Sequence, residues 1–194
     1  MSTPGAVTEW LRRAADGDAH AFDVAFGLVY AELGSLARSQ LRHEVVGHTL
    51  ETGALVHEAY LRLSAGAAGT FEDRSHFLAI ASSAMRRILV EHARRTQAAK
   101  RGGGTVPLEL TEADDARGGL FDDRGTSLVD LDEALRRLAQ LHERQAKVVE
   151  YRFFGGLTEE ETAAALHVGL RTVKRDWAAA RAWLYRELHD TGTA

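Results

Sequence analysis

Two groups of cationic side chains have the spacing that contact with a polyanion requires. Arg171, Thr172, Lys174 and Arg175 follow directly on the break His167-Val168-Gly169, in the first turns of a helical segment. A guanidinium can read a guanine edge bidentately, and a neighbouring hydroxyl can meet phosphate or base. In the second group, Arg86, Arg87, Arg94, Arg95, Lys100 and Arg101 accumulate along one segment against a single acid, Glu91. A helix C-terminus favours cations, yet this run exceeds what capping needs. A phosphate-facing surface fits it better, because each neutralised phosphate releases counterions. The plainer alternative for both groups is a solvated polar helix face.

Other chemistry is poorly supported. The chain has nine histidines, but His57-Glu58 opens an H-E-x-x-H pattern that fails at Leu61. His43 and His48 straddle a turn with no carboxylate cluster, and His76 and His92 stand too far apart on one helix to share an ion. Gly102 to Gly104 follow a helix rather than a strand and lack the Gly-Lys-Ser/Thr of a phosphate loop. No strained-turn nucleophile motif occurs. The absence of cysteine excludes disulfides and thiolate zinc sites. Neither an enzyme nor a metal or cofactor is expected.

The elements that must position the cations are helices. Thr158 and Glu161 form a capping box that opens a short helix, about Glu159 to Leu166, with Ala163 as the small residue at a helix crossing. Gly169 is the residue best able to take a left-handed backbone at the break. From Leu170 onward Val173, Trp177, Ala180, Leu184 and Leu188 share one face, and Arg171, Lys174 and Arg175 lie off it. Helix, tight turn and a helix basic at its start form the helix-turn-helix design, whose second helix enters the major groove.

Upstream, periodicity predicts helices over Val7 to Ala15, Ala19 to Arg42 and Thr52 to Leu63, then a small-residue loop over Ser64 to Ser75. A basic helix follows to about Arg101, burying Phe77, Leu78, Ile80, Ala81, Met85, Ile88 and Leu89. Thr105 to Ser127 hold Glu109, Glu112, Asp114, Asp115, Asp122 and Asp123 against Arg117 and Arg124, without periodicity, which predicts an acidic flexible linker. Helices resume over Leu128 to Leu141 and about Glu143 to Phe154, and Gly155-Gly156 end the latter. The fold class is therefore all-α: two small helical domains, 1–101 and 128–194, joined by the linker 102–127, the second containing the helix-turn-helix.

Composition agrees. At 194 residues, 45% hydrophobic and 27% charged, the chain is globular. It has no apolar run near the ~20 residues of a membrane span and no signal-peptide start, so a cytoplasmic protein fits best. A net charge of −4 speaks against an indiscriminate DNA coat but leaves room for local basic patches.

These features in this order resemble the extracytoplasmic function (ECF) sigma factors of bacterial RNA polymerase. Leu55-Val56-His57-Glu58-Ala59-Tyr60-Leu61-Arg62-Leu63 is similar to the family's LVQEAFLRL segment. The resemblance implies that this helix docks on the β′ clamp of core polymerase through Leu55, His57, Glu58 and Arg62. Where the family has Asp-x-x-Gln-Glu, this chain has Ala54-Leu55-Val56-His57-Glu58. Phe71 to Arg101 look like the segment that opens and reads the minus-ten element. That assigns Phe71, Arg74, Arg86, Arg87, Arg94, Arg95, Lys100 and Arg101 to the downstream DNA, with a flipped base held by the Phe71–Ser75 loop and the helix after it. Leu138 to Leu188 look like the domain that reads the minus-thirty-five element and touches the β flap, with Arg171, Thr172, Lys174 and Arg175 at the upstream DNA.

The expected partners are thus RNA polymerase core and promoter DNA, with an anti-sigma factor as a regulator the resemblance admits. No membrane partner is expected, and the absence of a heptad seam or apolar stripe predicts a monomer when free of core. The competing reading is a helix-turn-helix regulator that acts without being a polymerase subunit, its first half sensing a ligand or dimerising. A helical adaptor would leave the basic run after Met85 without a purpose.

Overall fold

The aromatic and aliphatic residues spaced along 19–42 and 74–99 can be covered only by folding those helices against each other. The computed structural model, which describes residues 4–42, 50–66, 71–99 and 128–190, does this. Its first unit comprises α1 (Pro4–Ala15), α2 (Ala19–Arg42), α3 (Thr52–Gly66) and α4 (Arg74–Ala99). Phe22, Phe26, Phe71 and Phe77, with Tyr60 at the edge, form a ring cluster with centroids 5.0 Å apart for Phe71 and Phe77 and 6.1 Å for Phe22 and Phe26. Leu11, Leu33, Leu55, Met85 and Leu89 are fully enclosed around it, each contributing about 1.5–3 kcal/mol of burial. Asp18 ends the α1–α2 turn: its Oδ1 accepts from the backbone N–H of His20 and Ala21 at 3.1 and 3.2 Å. Gly17 takes φ +96 there, a conformation that costs glycine nothing.

The second unit comprises α5 (Leu128–Leu141), α6 (Glu143–Val149), a π-helical turn (Glu150–Phe154), α7 (Glu159–Ala165) and α8 (Leu170–Asp190). Leu131, Leu135 and Leu138 of α5 and Val149 of α6 bury against Val173, Ala180 and Leu184 of α8. The widened turn lets Tyr151, Phe153 and Phe154 all be buried. It closes through Gly155 N–H to Glu150 O at 2.9 Å and Leu157 N–H to Tyr151 O at 3.0 Å. A Cβ on Gly155 would lie 2.5 Å from Tyr151 O, and Gly156 has φ +63, so this corner requires both glycines.

Several sequence expectations shift. α1 starts at Pro4 rather than Val7, since proline is preset for a first helical turn. α3 continues to Gly66, and α4 already starts at Arg74, so the expected Ser64–Ser75 loop is partly helix. In the helix-turn-helix the left-handed residue is His167, φ +51, not Gly169. His167 N–H bonds Ala164 O at 3.1 Å and Val168 N–H bonds Ala163 O at 3.0 Å. That Schellman pattern fixes the left-handed position one residue beyond the C-cap Leu166. The expected linker, together with His43, Gly47, His48, Gly69 and Gly102 to Gly104, lies outside the described residues. Among the described residues no helix is long and apolar enough to cross a membrane.

Candidate nucleic-acid interface

The capping box fixes the first helix of the pair. Thr158 Oγ1 accepts from Glu161 N–H at 3.1 Å, and Glu161 Oε2 accepts from Thr158 N–H at 2.8 Å. The buried Asp176 orients the second: Arg144 Nε of α6 donates to it at 2.5 Å. Bonding to Asp176 holds the Arg144 guanidinium above its ordinary pKa. Arg171, Lys174 and Arg175 are all exposed on the opening turns of α8, with Thr172 half-buried beside them. Lys174 lies 3.6 Å from Glu159, and Arg175 lies 3.5 Å from Asp176. Arg171 meets no carboxylate among the described residues, which leaves its fork open for an external acceptor.

On α3, His57 is exposed and Glu58 and Arg62 are half-buried. Arg62 donates to Glu58 at 3.1 Å and to Glu91 of α4 at 2.8 Å. The Glu91 bond is the main reason Arg62 is raised above its ordinary pKa and Glu91 is held below its own. Leu55 behaves differently: it is fully enclosed in the core and supports the helix from behind, so it cannot meet a partner. Leu61, 51% exposed and one turn beyond His57, is the apolar side chain on this face that periodicity did not single out.

The basic helix is more divided than its sequence suggests. Arg87 and Arg95 are exposed. Arg95 lies 3.5 Å from Glu91, whereas Arg87 meets no carboxylate among the described residues. Arg86 is 4% exposed. It donates to Asp132 of α5 and, at 2.6 Å, to Glu150 of the π turn, whose other oxygen accepts from Ser83 Oγ at 3.1 Å. Arg94 lies 3.3 Å from Glu133 and 3.8 Å from Asp132. In this arrangement Arg86 therefore faces carboxylates of the second unit and not solvent. Lys100 and Arg101 lie outside the described residues.

Phe71 is also relocated. It stands 4% exposed against Phe22 and Phe77, so its ring is unavailable for stacking on a base. Next to it, Asp73 caps α4 through His76 N–H at 2.8 Å. Arg74 pairs with Glu32. A cavity of about 380 Å³ opens here, lined by Glu32, Ser35, Arg74 and Ser75 of the first unit and by Gly156 and Leu157 of the second. Asp132 and Glu150, which organise the junction, were missed in the sequence. An acid on the Leu128, Leu131, Leu135 face of α5 was the available signal for Asp132.

Exposed cations thus stand on both helical units, Arg87 and Arg95 on α4 and Arg171, Lys174 and Arg175 at the start of α8. A family model described as ECF sigma factor matches residues 4–190. No curated protein matches the chain.

Proposed function

The chain belongs to the ECF sigma factor family, and from that premise we propose how its two units share the work of promoter recognition. As a member of the family it is an alternative sigma factor that binds RNA polymerase core, directs it to promoters and is not itself an enzyme. That function sets aside the regulator that works outside the polymerase.

The first unit, 1–101, docks on the β′ clamp through the α3 face carrying His57, Glu58, Leu61 and Arg62. It grips the minus-ten element with Arg87, Arg94 and Arg95, joined by Lys100 and Arg101, while the Arg74–Ser75 corner receives an unstacked base. Extruding a base costs a few kcal/mol, which phosphate contacts along the basic helix offset. The second unit, 128–194, touches the β flap and places Arg171, Thr172, Lys174 and Arg175 in the major groove at the minus-thirty-five element. The observation that carries this reading is the open guanidinium of Arg171 on the first turn of α8, beside exposed Lys174 and Arg175.

The test is a pull-down of the purified chain with sigma-free core, followed by run-off transcription on genomic fragments. Stoichiometric binding with new, defined start sites is the expected result. Tight binding to duplex DNA with no affinity for core would overturn it.

A further inference from the structure

The cations that open α8 are not equally free. Arg171 meets no carboxylate among the described residues, whereas Lys174 Nζ lies 3.6 Å from Oε2 of Glu159, in the first turn of α7. The other oxygen of that carboxylate, Oε1, lies 3.5 Å from Arg152 Nη1. One carboxylate therefore stands between a cation on the outer face and a cation on the core side. The exposures show which end is fixed: the side chains of Arg152 and Glu159 are 15% and 26% exposed, and that of Lys174 is 59% exposed.

Arg152 is held in turn by the core. Its guanidinium lies over the ring of the buried Trp177 at 4.5 Å. Its Nε is buried with no hydrogen-bond acceptor among the described residues. Burial presses the Arg152 cation below its ordinary pKa, and Glu159 is the chief opposing charge. A run of contacts thus leads from Trp177 through Arg152 and Glu159 to Lys174. The helix dipole accounts for acids in the first turn of α7, where Glu160 and Glu161 also stand. It does not account for two cations converging on Glu159.

We propose that Glu159 is a positioning residue for upstream-element selectivity: it tethers Lys174 to one place, so that the lysine charge adds to affinity only in the register set by the Arg171 fork. This rests on the upstream-element reading given under Proposed function. An ammonium on a four-carbon stem is a point charge with no fixed geometry, and left loose it meets any phosphate within reach. On a matched element the Arg171 fork sets the register, and the tethered ammonium is already placed. On other duplexes the register differs, and only a loose ammonium can follow the phosphates. Selectivity is a difference of affinities, so restraining Lys174 widens it by weakening the wrong complexes.

The test titrates holoenzyme with labelled promoter duplexes recovered by run-off transcription, their upstream element either intact or scrambled. Glu159→Gln should raise affinity for the scrambled duplex about threefold and steepen its salt slope by about one unit, as one more phosphate is neutralised. Affinity for the intact duplex should stay nearly unchanged, so selectivity falls. Glu160→Gln removes an equal charge from the same turn and should leave selectivity as it was. In a Lys174→Ala chain, Glu159→Gln should not alter selectivity, since the effect runs through that pair. Should Glu159→Gln lower the unfolding midpoint, Glu159→Asp, which keeps the charge and the dipole on a shorter stem, should give the same loss of selectivity. Unchanged selectivity in both Glu159 variants would overturn the proposal. So would an equal loss in Glu160→Gln, or a loss that persists without Lys174. A parent holoenzyme that does not prefer the intact duplex would instead bring down the promoter-reading premise, and the proposal with it.

Discussion

Neighbouring arginines of one helix meet different fates, and the difference lies in what the rest of the chain brings to each. Arg87 is open to solvent, while Arg86, one residue earlier, is enclosed by two carboxylates. Those partners stand 46 and 64 residues away in the chain. A count of charges along α4 therefore finds the basic run but not its partition. Arg171 is the clean case, because nothing described competes for it. Arg171→Ala should cost about 1–3 kcal/mol at a single base pair of the upstream element. Equal losses on matched and scrambled promoters, measured by competition with holoenzyme, would remove it as a base reader. Arg87→Ala should instead weaken all sequences alike and lower the slope of log K against log salt by about one unit. Leu55 separates support from contact: Leu55→Ala should lower unfolding free energy by about 2–5 kcal/mol. His57→Ala should leave stability nearly unchanged and reduce core binding, and denaturant titration beside a core pull-down distinguishes the two.

At the scale of elements, periodicity and local chemistry carried most of the fold. The apolar steps of α8 put Val173, Trp177, Ala180 and Leu184 inside with Leu188 half-buried, and Thr158 with Glu161 forms the expected box, because those signals act within a turn or two. His167 was not legible. Glycine is the residue best suited to a left-handed backbone, yet which position must adopt it depends on where the last carbonyls of α7 find donors. Phe71 was misassigned for a related reason, since a lone aromatic in a loop looks free until Phe22 and Phe77 close over it. Thr158→Ala should cost about 1 kcal/mol by removing one cap. The tie between α3 and α4 should be visible in acid. Bonding to Arg62 lowers the Glu91 pKa below its ordinary 4.5. Its stabilising contribution is therefore complete above the unfolded value and is lost as pH falls through the lower folded value. Denaturant midpoints measured from about pH 5 down to pH 3 should fall less steeply in Glu91→Gln than in the parent chain, and identical acid limbs would show that the tie contributes nothing.

For the whole molecule, the junction between units decides what kind of object Arg86 belongs to. Breaking a buried ion pair by removing one partner ordinarily costs about 3–5 kcal/mol, because a charge is left without compensation. Inside a single core that cost has no outlet short of unfolding. Here each unit has its own enclosed hydrophobic residues, Leu33 and Met85 in one, Leu138 and Leu184 in the other. Parting of the units would return Asp132 and Glu150 to water. The loss on Arg86→Ala is then limited to the free energy of the interface, while the helices on either side keep their packing. The expected outcome is unchanged far-UV circular dichroism and nearly unchanged unfolding midpoints, together with a radius of gyration larger by several ångströms in X-ray scattering. A variant that stays as compact as the parent but unfolds at markedly lower denaturant would mean the opposite: the two units would form one cooperative body, and Arg86 would be part of its core.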